Sequence, residues 1–282
     1  MLTMATDTSK ITGAADELSA GLTKGGSAAK TLGAEIASAF NSLDARVAAL
    51  EAGATTPPVE PPIDPPSTGG KITNFSAASS SSFQIDGENV QPQNANKSWS
   101  INQVDDYTLR FEVRSGDKWE HDPASSNRTE IEFWEQYDEG VTMNYSDIIT
   151  VKAGPPNTSG SNLLVQCHAT TNVNPTYCPF SIGLSPPEPK ENIRIVLQEP
   201  NNGWNQVWIM PLTRDKAMKF DCKVKMGPSG NGKIEVWLDG NQIVNFNGRV
   251  GATNSKYYWK CGLYRGQVPE TITAEHRNIT VN

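Results

Sequence analysis

The chain has 282 residues, enough for one large domain or two ordinary ones, with 37% hydrophobic, 8% aromatic and 20% charged residues and a net charge of −7. That balance argues against broad nucleic-acid binding, which rests on neutralising phosphates, and no apolar run approaches the length needed to cross a bilayer. The opening "MLTMATDTSK" lacks the basic-then-apolar order of a secretory signal, so classical secretion is not expected.

Residues 8–51 are rich in alanine and lack proline and tryptophan. With Ile36 as position a, the a series reads Ala15, Leu22, Ala29, Ile36, Leu43, Leu50, and the d series Ile11, Leu18, Gly25, Leu32, Ala39, Arg46. This sustained heptad seam predicts a helical coiled-coil stalk over residues 1–51, with "KGGS" at 24–27 as a weak point. Small residues at a suit a homotrimer, with a dimer as the alternative, formed through residues 8–51. An amphipathic helix packed on its own domain is the plainer reading. Residues 52–70, "AGATTPPVEPPIDPPSTGG", hold three Pro-Pro pairs and read as a semi-rigid linker.

From residue 71 to 282 the pattern becomes short alternating strands, such as "YTLRFEV", "SDIITVK", "NLLVQCH", "NIRIVLQ" and "KFDCKVKM". "VWLDGNQIVNF" reads as a hairpin turning at Asp239-Gly240. About twelve to fourteen strands without a helical pattern predict an all-β, two-sheet sandwich or jelly roll of the concanavalin-like kind. There are 4 basic against 8 acidic residues in 1–70, and 20 against 23 beyond, which allows a local basic groove in the β region. Cys167, Cys178, Cys222 and Cys261 show neither a CxxC pair nor a zinc spacing, and read as buried thiols. A Cys167–Cys178 bridge stays open.

Three strands carry polar faces backed by apolar ones. In "NRTEIEFW", Arg128, Glu130 and Glu132 share a face; in "LLVQCHA", Gln166 and His168 do; in "YYWKCGLYR", Tyr258, Lys260, Gly262 and Tyr264 do. One such strand is ordinarily just a solvent-facing strand. Together, Arg-x-Glu, Gln-x-His and Tyr-x-Lys-x-Gly-x-Tyr resemble the signature strands of jelly-roll polysaccharide lyases, a group that includes alginate lyases, heparinase I and glucuronan lyase. The likeness spans residues 71–282 as scattered motifs.

The resemblance implies cleavage of a uronic-acid polymer by β-elimination. The substrate carboxylate is neutralised, a base removes the C5 proton, and an acid protonates the departing O4. Arg128 and Gln166 suit the first task by charge and amide donation. His168 suits the base, with an unperturbed pKa of ~6.5, and Tyr264 suits the acid. His121, in the loop before the Arg128 strand, is the alternative base. Glu130, Tyr258, Lys260 and Arg265 are expected in the substrate groove, with Glu130 orienting Arg128 or its neighbours, and His276 is read as structural. Trp119 or Trp204 could stack on sugar rings. No cofactor is implied, and no acidic loop has a convincing calcium pattern.

Two other classes compete. "EIEFWE" nearly matches the Glu-x-Asp-x-x-Glu signature of laminarinase-type hydrolases, but a Glu130/Glu135 pair needs a β-bulge after Glu132 to share one face. A non-catalytic carbohydrate-binding module is the other reading. A stalk, a proline spacer and a polysaccharide-active domain together resemble a bacteriophage tail depolymerase. The expected partner is then an acidic polysaccharide and the expected location the virion. A non-classically released or cytoplasmic bacterial enzyme is the alternative.

Overall fold

The computed structural model describes residues 69–76, 81–170, 178–187, 190–199 and 203–282. The chain divides into two units, Met1–Asp64 and Pro65–Asn282, and the described residues all fall in the second. The expected stalk over 1–51 and all but the Gly-Gly end of the linker lie outside them. The described residues form seventeen strands and no helix.

One sheet runs in the order β1 (Ile72–Thr73), β2 (Phe83–Ile85), β3 (Glu88–Asn94), β6 (Ser126–Phe133), β16 (Lys256–Gly266), β9 (Asn162–Ala169), β10 (Phe180–Ser185), β11 (Asn192–Glu199) and β12 (Gly203–Pro211), with β7 (Tyr137–Asp138) also on β16. The other runs β15 (Asn241–Val250), β14 (Gly227–Leu238), β13 (Met218–Lys225), β8 (Thr142–Val151), β17 (Ile272–Val281), β5 (Thr108–Val113) and β4 (Ile101–Asp105). Every pairing is antiparallel and the strand order is crossed, as in a jelly roll.

The alternation read from the sequence is what makes the sandwich. In β8, Met143, Tyr145, Asp147, Ile149 and Val151 are buried while the residues between them are less so. Such a strand has one face for a core and one for water. The core between the sheets includes Trp259, Phe111, Phe133, Phe180 and Phe220. It also holds one polar cluster: Asp147 Oδ2 accepts a hydrogen bond from Tyr145 at 2.7 Å and lies 2.5 Å from His276 Nδ1. His276 is fully buried there, edge-on to Phe111, consistent with a structural role. All four cysteines are buried free thiols. The Asp239-Gly240 hairpin is present, both residues having positive φ (49° and 79°), as a two-residue turn between β14 and β15 demands.

Candidate active site

The polar face of the first sheet is built where β3, β6, β16 and β9 lie side by side. Register sets the neighbours: Lys260 is opposite both Glu132 and Gln166, Gly262 opposite Glu130, Tyr264 opposite Arg128, and Tyr258 opposite His168. On the outer side, Gln91 and Gln93 face Glu132 and Glu130. β16 keeps step with β6 but slips against β9 between Cys261 and Tyr264, a bulge centred on Gly262. Gly262 has φ 131°, and a Cβ there would drive into the Thr129 carbonyl oxygen, so the glycine of the third motif is a backbone requirement.

Arg128 is held on three sides. Nε and Nη2 donate to the two oxygens of Asp122 at 2.7 and 2.8 Å, and Nη1 donates to Gln93 Oε1 (2.8 Å) and Glu130 Oε2 (3.1 Å). The Tyr264 ring lies under its guanidinium at 4.0 Å. Gln166 Nε2 donates to the other oxygen of Glu130 at 2.5 Å. Lys260 Nζ donates to Gln93 Oε1 at 2.8 Å and pairs with Glu132 at 3.0 Å, and Gln93 Nε2 donates to Glu132 at 2.7 Å. Gln93 therefore joins both cations to one amide oxygen. Sequence reasoning missed it, because a glutamine beside a proline in "NVQPQN" carries no catalytic signature. Asp122, in the loop before β6, was missed for the same reason.

Two expected groove residues are corrected. Glu130 has both oxygens taken by Arg128 and Gln166 and is fully buried, so of its two expected roles it has the orienting one. Burial pushes its carboxyl upward, opposed by Arg128, Lys260 and the Gln166 amide. Arg265 is 1% exposed, on the opposite face from Tyr264, where it donates to the Glu270 carbonyl and pairs with the Glu270 carboxylate. Alternation along β16 forces that outcome.

His168 and Tyr258 meet: the Tyr258 hydroxyl is 3.0 Å from His168 Nδ1, which is also 2.8 Å from the Ala169 carbonyl oxygen. A carbonyl only accepts, so Nδ1 carries the proton and the lone pair sits on Nε2. Burial first, and then the Lys260 and Arg128 charges, lower the His168 pKa to about 3 against the opposing pull of the Ala169 bond. Burial raises the phenols of Tyr258 and Tyr264, leaving both protonated at neutral pH. His121 lies elsewhere, exposed and edge-on to Trp119 at 4.5 Å; that indole lies 5.8 Å from the Arg128 guanidinium carbon. The histidines thus mark opposite ends of the polar face, His168 with Tyr258 and His121 with Arg128 and Tyr264.

β6 pairs regularly with β3 up to Phe133 and with β16 up to Glu132, with no register shift within either ladder; the chain then gains two residues on β16 before Tyr137 pairs with Tyr257. Glu135 lies beyond the strand and accepts a hydrogen bond from Tyr137 at 2.8 Å. With Glu130 sealed in, the two carboxyls do not form a hydrolase pair across a groove. Among the described residues no cluster of three or more His, Cys, Asp or Glu is arranged to hold a metal ion.

Residues 70–279 match the sequence profile of a family described as polysaccharide lyase. The chain belongs to the polysaccharide lyase family. Its enzymatic class is accordingly that of a lyase acting on polysaccharides, cleaving carbon–oxygen bonds by β-elimination. Solved structures agree on the fold. The alginate lyase Aly36B, bound to an alginate trisaccharide, matches with TM-score 0.53 at 10% identity, over 76% of this chain and 98% of that one. The family 7 alginate lyase A1-II′, bound to substrate, matches with TM-score 0.50 at 11% identity, over 68% and 90%. An endo-β-1,4-glucuronan lyase from the fungus Trichoderma reesei gives TM-score 0.48 at 12% identity, over 68% and 87%. No curated protein sequence matches the chain.

Proposed function

We propose that this polysaccharide lyase cleaves a uronic-acid-containing polymer, with Arg128, Gln166 and Lys260 binding the uronate carboxylate and His168 and Tyr258 moving the protons. The observation that carries this reading is the 3.0 Å contact of Tyr258 with His168, one row along from the Lys260–Gln166 pair. Hydrogen bonds account for four of the five N–H donors of Arg128, two of the three on Lys260 and one of the two on Gln166. Each keeps one donor for a ligand oxygen. Because Asp122, Glu130 and Glu132 surround the two cations, the site recognises an anion through fixed donors rather than through excess charge.

A bound carboxylate so held makes the C5 proton of the uronate more acidic. His168 Nε2 takes that proton, and electrons flow through C5–C4 to expel O4. The Tyr258 hydroxyl accepts from Nδ1–H, which leaves its own proton to give to O4. Tyr264, expected from the sequence to be the acid, keeps the Arg128 guanidinium flat beneath the groove in this reading. The alginate lyases of similar fold support an acidic polysaccharide as substrate.

Incubation with defined polyuronates and bacterial exopolysaccharides tests this. A new C4–C5 double bond gives ultraviolet absorbance with each cut; reducing ends appearing without it would overturn the reading. The heptad seam and proline spacer support a second element: that the chain is a trimeric depolymerase of a bacteriophage tail, digesting host capsule or exopolysaccharide. Light scattering on the full chain should then give three times the 30.6 kDa chain mass, and a monomer would refute the trimer.

A further inference from the structure

Trp134 and Trp204 are each 52% exposed, among the few large apolar side chains that the described residues present to solvent. Other indoles have evident structural places. Trp259 is fully buried, Trp208 packs on the core, and Trp99 donates to Asp117 at 2.9 Å.

Register shows which face the two exposed indoles share. Gln166 is opposite Ser181, Ser181 opposite Val196 and Val196 opposite Gln206, so all four point the same way. Two residues along β11, Gln198 is opposite Trp204, which puts that indole on the face of Gln166 and His168. A register shift between Ile195 and Val196 turns Trp208 to the core and leaves Trp204 on the groove side. On the other flank, Trp134 continues the alternation of Glu130 and Glu132, and its amide donates to the Asn89 carbonyl at 3.0 Å. The β6–β16 ladder ends with Lys260 opposite Glu132, and Trp134 lies two residues past that end, on the β6 flank of the polar face.

One line across the strands therefore runs Tyr258, His168, Pro179, Gln198, Trp204, with Trp134 beyond its Tyr258 end. With neighbouring strands ~4.8 Å apart, Trp204 stands ~14 Å from His168, three strands away, and Trp134 flanks the other side. The whole spans several sugar units. An indole offers a broad rigid face with only two side-chain torsions, suited to the apolar C–H face of a pyranose ring.

We infer that Trp134 and Trp204 are sugar-stacking platforms holding the polysaccharide on both sides of the scissile bond, so that the polymer crosses the strands and is cut internally. This rests on the active-site assignment made under Proposed function. The test uses Trp134→Ala and Trp204→Ala in the full chain, with a polymer that the wild type cleaves and the shortest oligosaccharide it still accepts. Each variant should raise KM for the polymer about tenfold, with kcat within about twofold and the short substrate unaffected. Early wild-type products should be a spread of oligomers. Unchanged polymer KM in both variants, or release of a single small product from the outset, overturns the inference.

A binding arm separates the two readings. In a Tyr258→Phe background, affinity electrophoresis against the same polymer should show weaker retention once either tryptophan is removed. Retained binding there defeats the platforms while leaving the catalytic assignment standing. Undiminished cleavage by Tyr258→Phe and His168→Ala defeats the catalytic assignment instead.

Discussion

The Tyr258 hydroxyl lies 3.0 Å from Nδ1 of His168 because the two residues are directly opposed across β16 and β9. Tyr264, six residues further along β16, instead packs against Arg128. Tyr258→Phe should therefore lower kcat by about 10²-fold or more, the range lost with a positioned acid or base. Tyr264→Phe keeps the ring under the guanidinium and should lose less than about tenfold. Initial rates of ultraviolet absorbance compare them; the reverse order would move the acid to Tyr264 and revive His121 as its partner.

Burial and the neighbouring cations hold His168 at about 3. A histidine lowered in this way is neutral at every pH above that value, so the free enzyme keeps its base ready across pH 5–8. The pH profile of kcat/KM should show no acid limb near the ordinary histidine value of ~6.5. Lys260→Met removes one of the charges that lower His168, and an acid limb should then move upward. A wild-type limb near 6.5 that disappears in His168→Gln would refute this.

Gln93 accepts from both Arg128 and Lys260 and donates to Glu132. Gln93→Met keeps the volume and removes every polar contact, which should cost about 1–3 kcal/mol of stability. Freed to reorient, the two cations should bind substrate less well, raising KM more than kcat falls. Gln91, exposed two residues earlier on the same strand, provides the control. Gln91→Met should change neither the urea midpoint nor KM.

At Gly262, positive φ and contact with the Thr129 carbonyl coincide. Gly262→Ala should destabilise by at least ~2 kcal/mol, or roughly 4–8 °C in Tm for a unit of this size. Activity should fall with it, because the bulge sets Tyr258 and Lys260 against β9. A thermal melt indistinguishable from wild type would show that β16 can shift to accept the methyl group.

The faces of the three signature strands were legible because alternation is a local property: Arg128 with Glu130, Gln166 with His168, and Tyr258 with Lys260 all fall as their spacing dictates. Arg265 broke that same rule when it was placed beside Tyr264. Cross-strand meetings were not legible. Whether His168 faces Tyr258 or Tyr264 depends on register, fixed by pairing and a bulge that a strand read alone does not reveal. Depth was hidden too: Glu130 and the exposed Glu135 look alike in sequence, and only packing buries one of them.

The two strands nearest the C-terminus are interior strands of the sandwich. β16 lies between β6 and β9, and β17 between β8 and β5. Synthesis proceeds from the N-terminus, so while the chain emerges from the ribosome each sheet exists only as two pieces with open edges. The apolar faces of β5, β6, β8 and β9 wait unpaired until residues 256–281 arrive to bridge them. Closure by such distant segments is slow, and open strand edges invite pairing with other chains. Recombinant expression of this protein should accordingly gain soluble yield from slower translation or lower temperature, and its nascent chains should depend on chaperones until residues 256–281 have emerged.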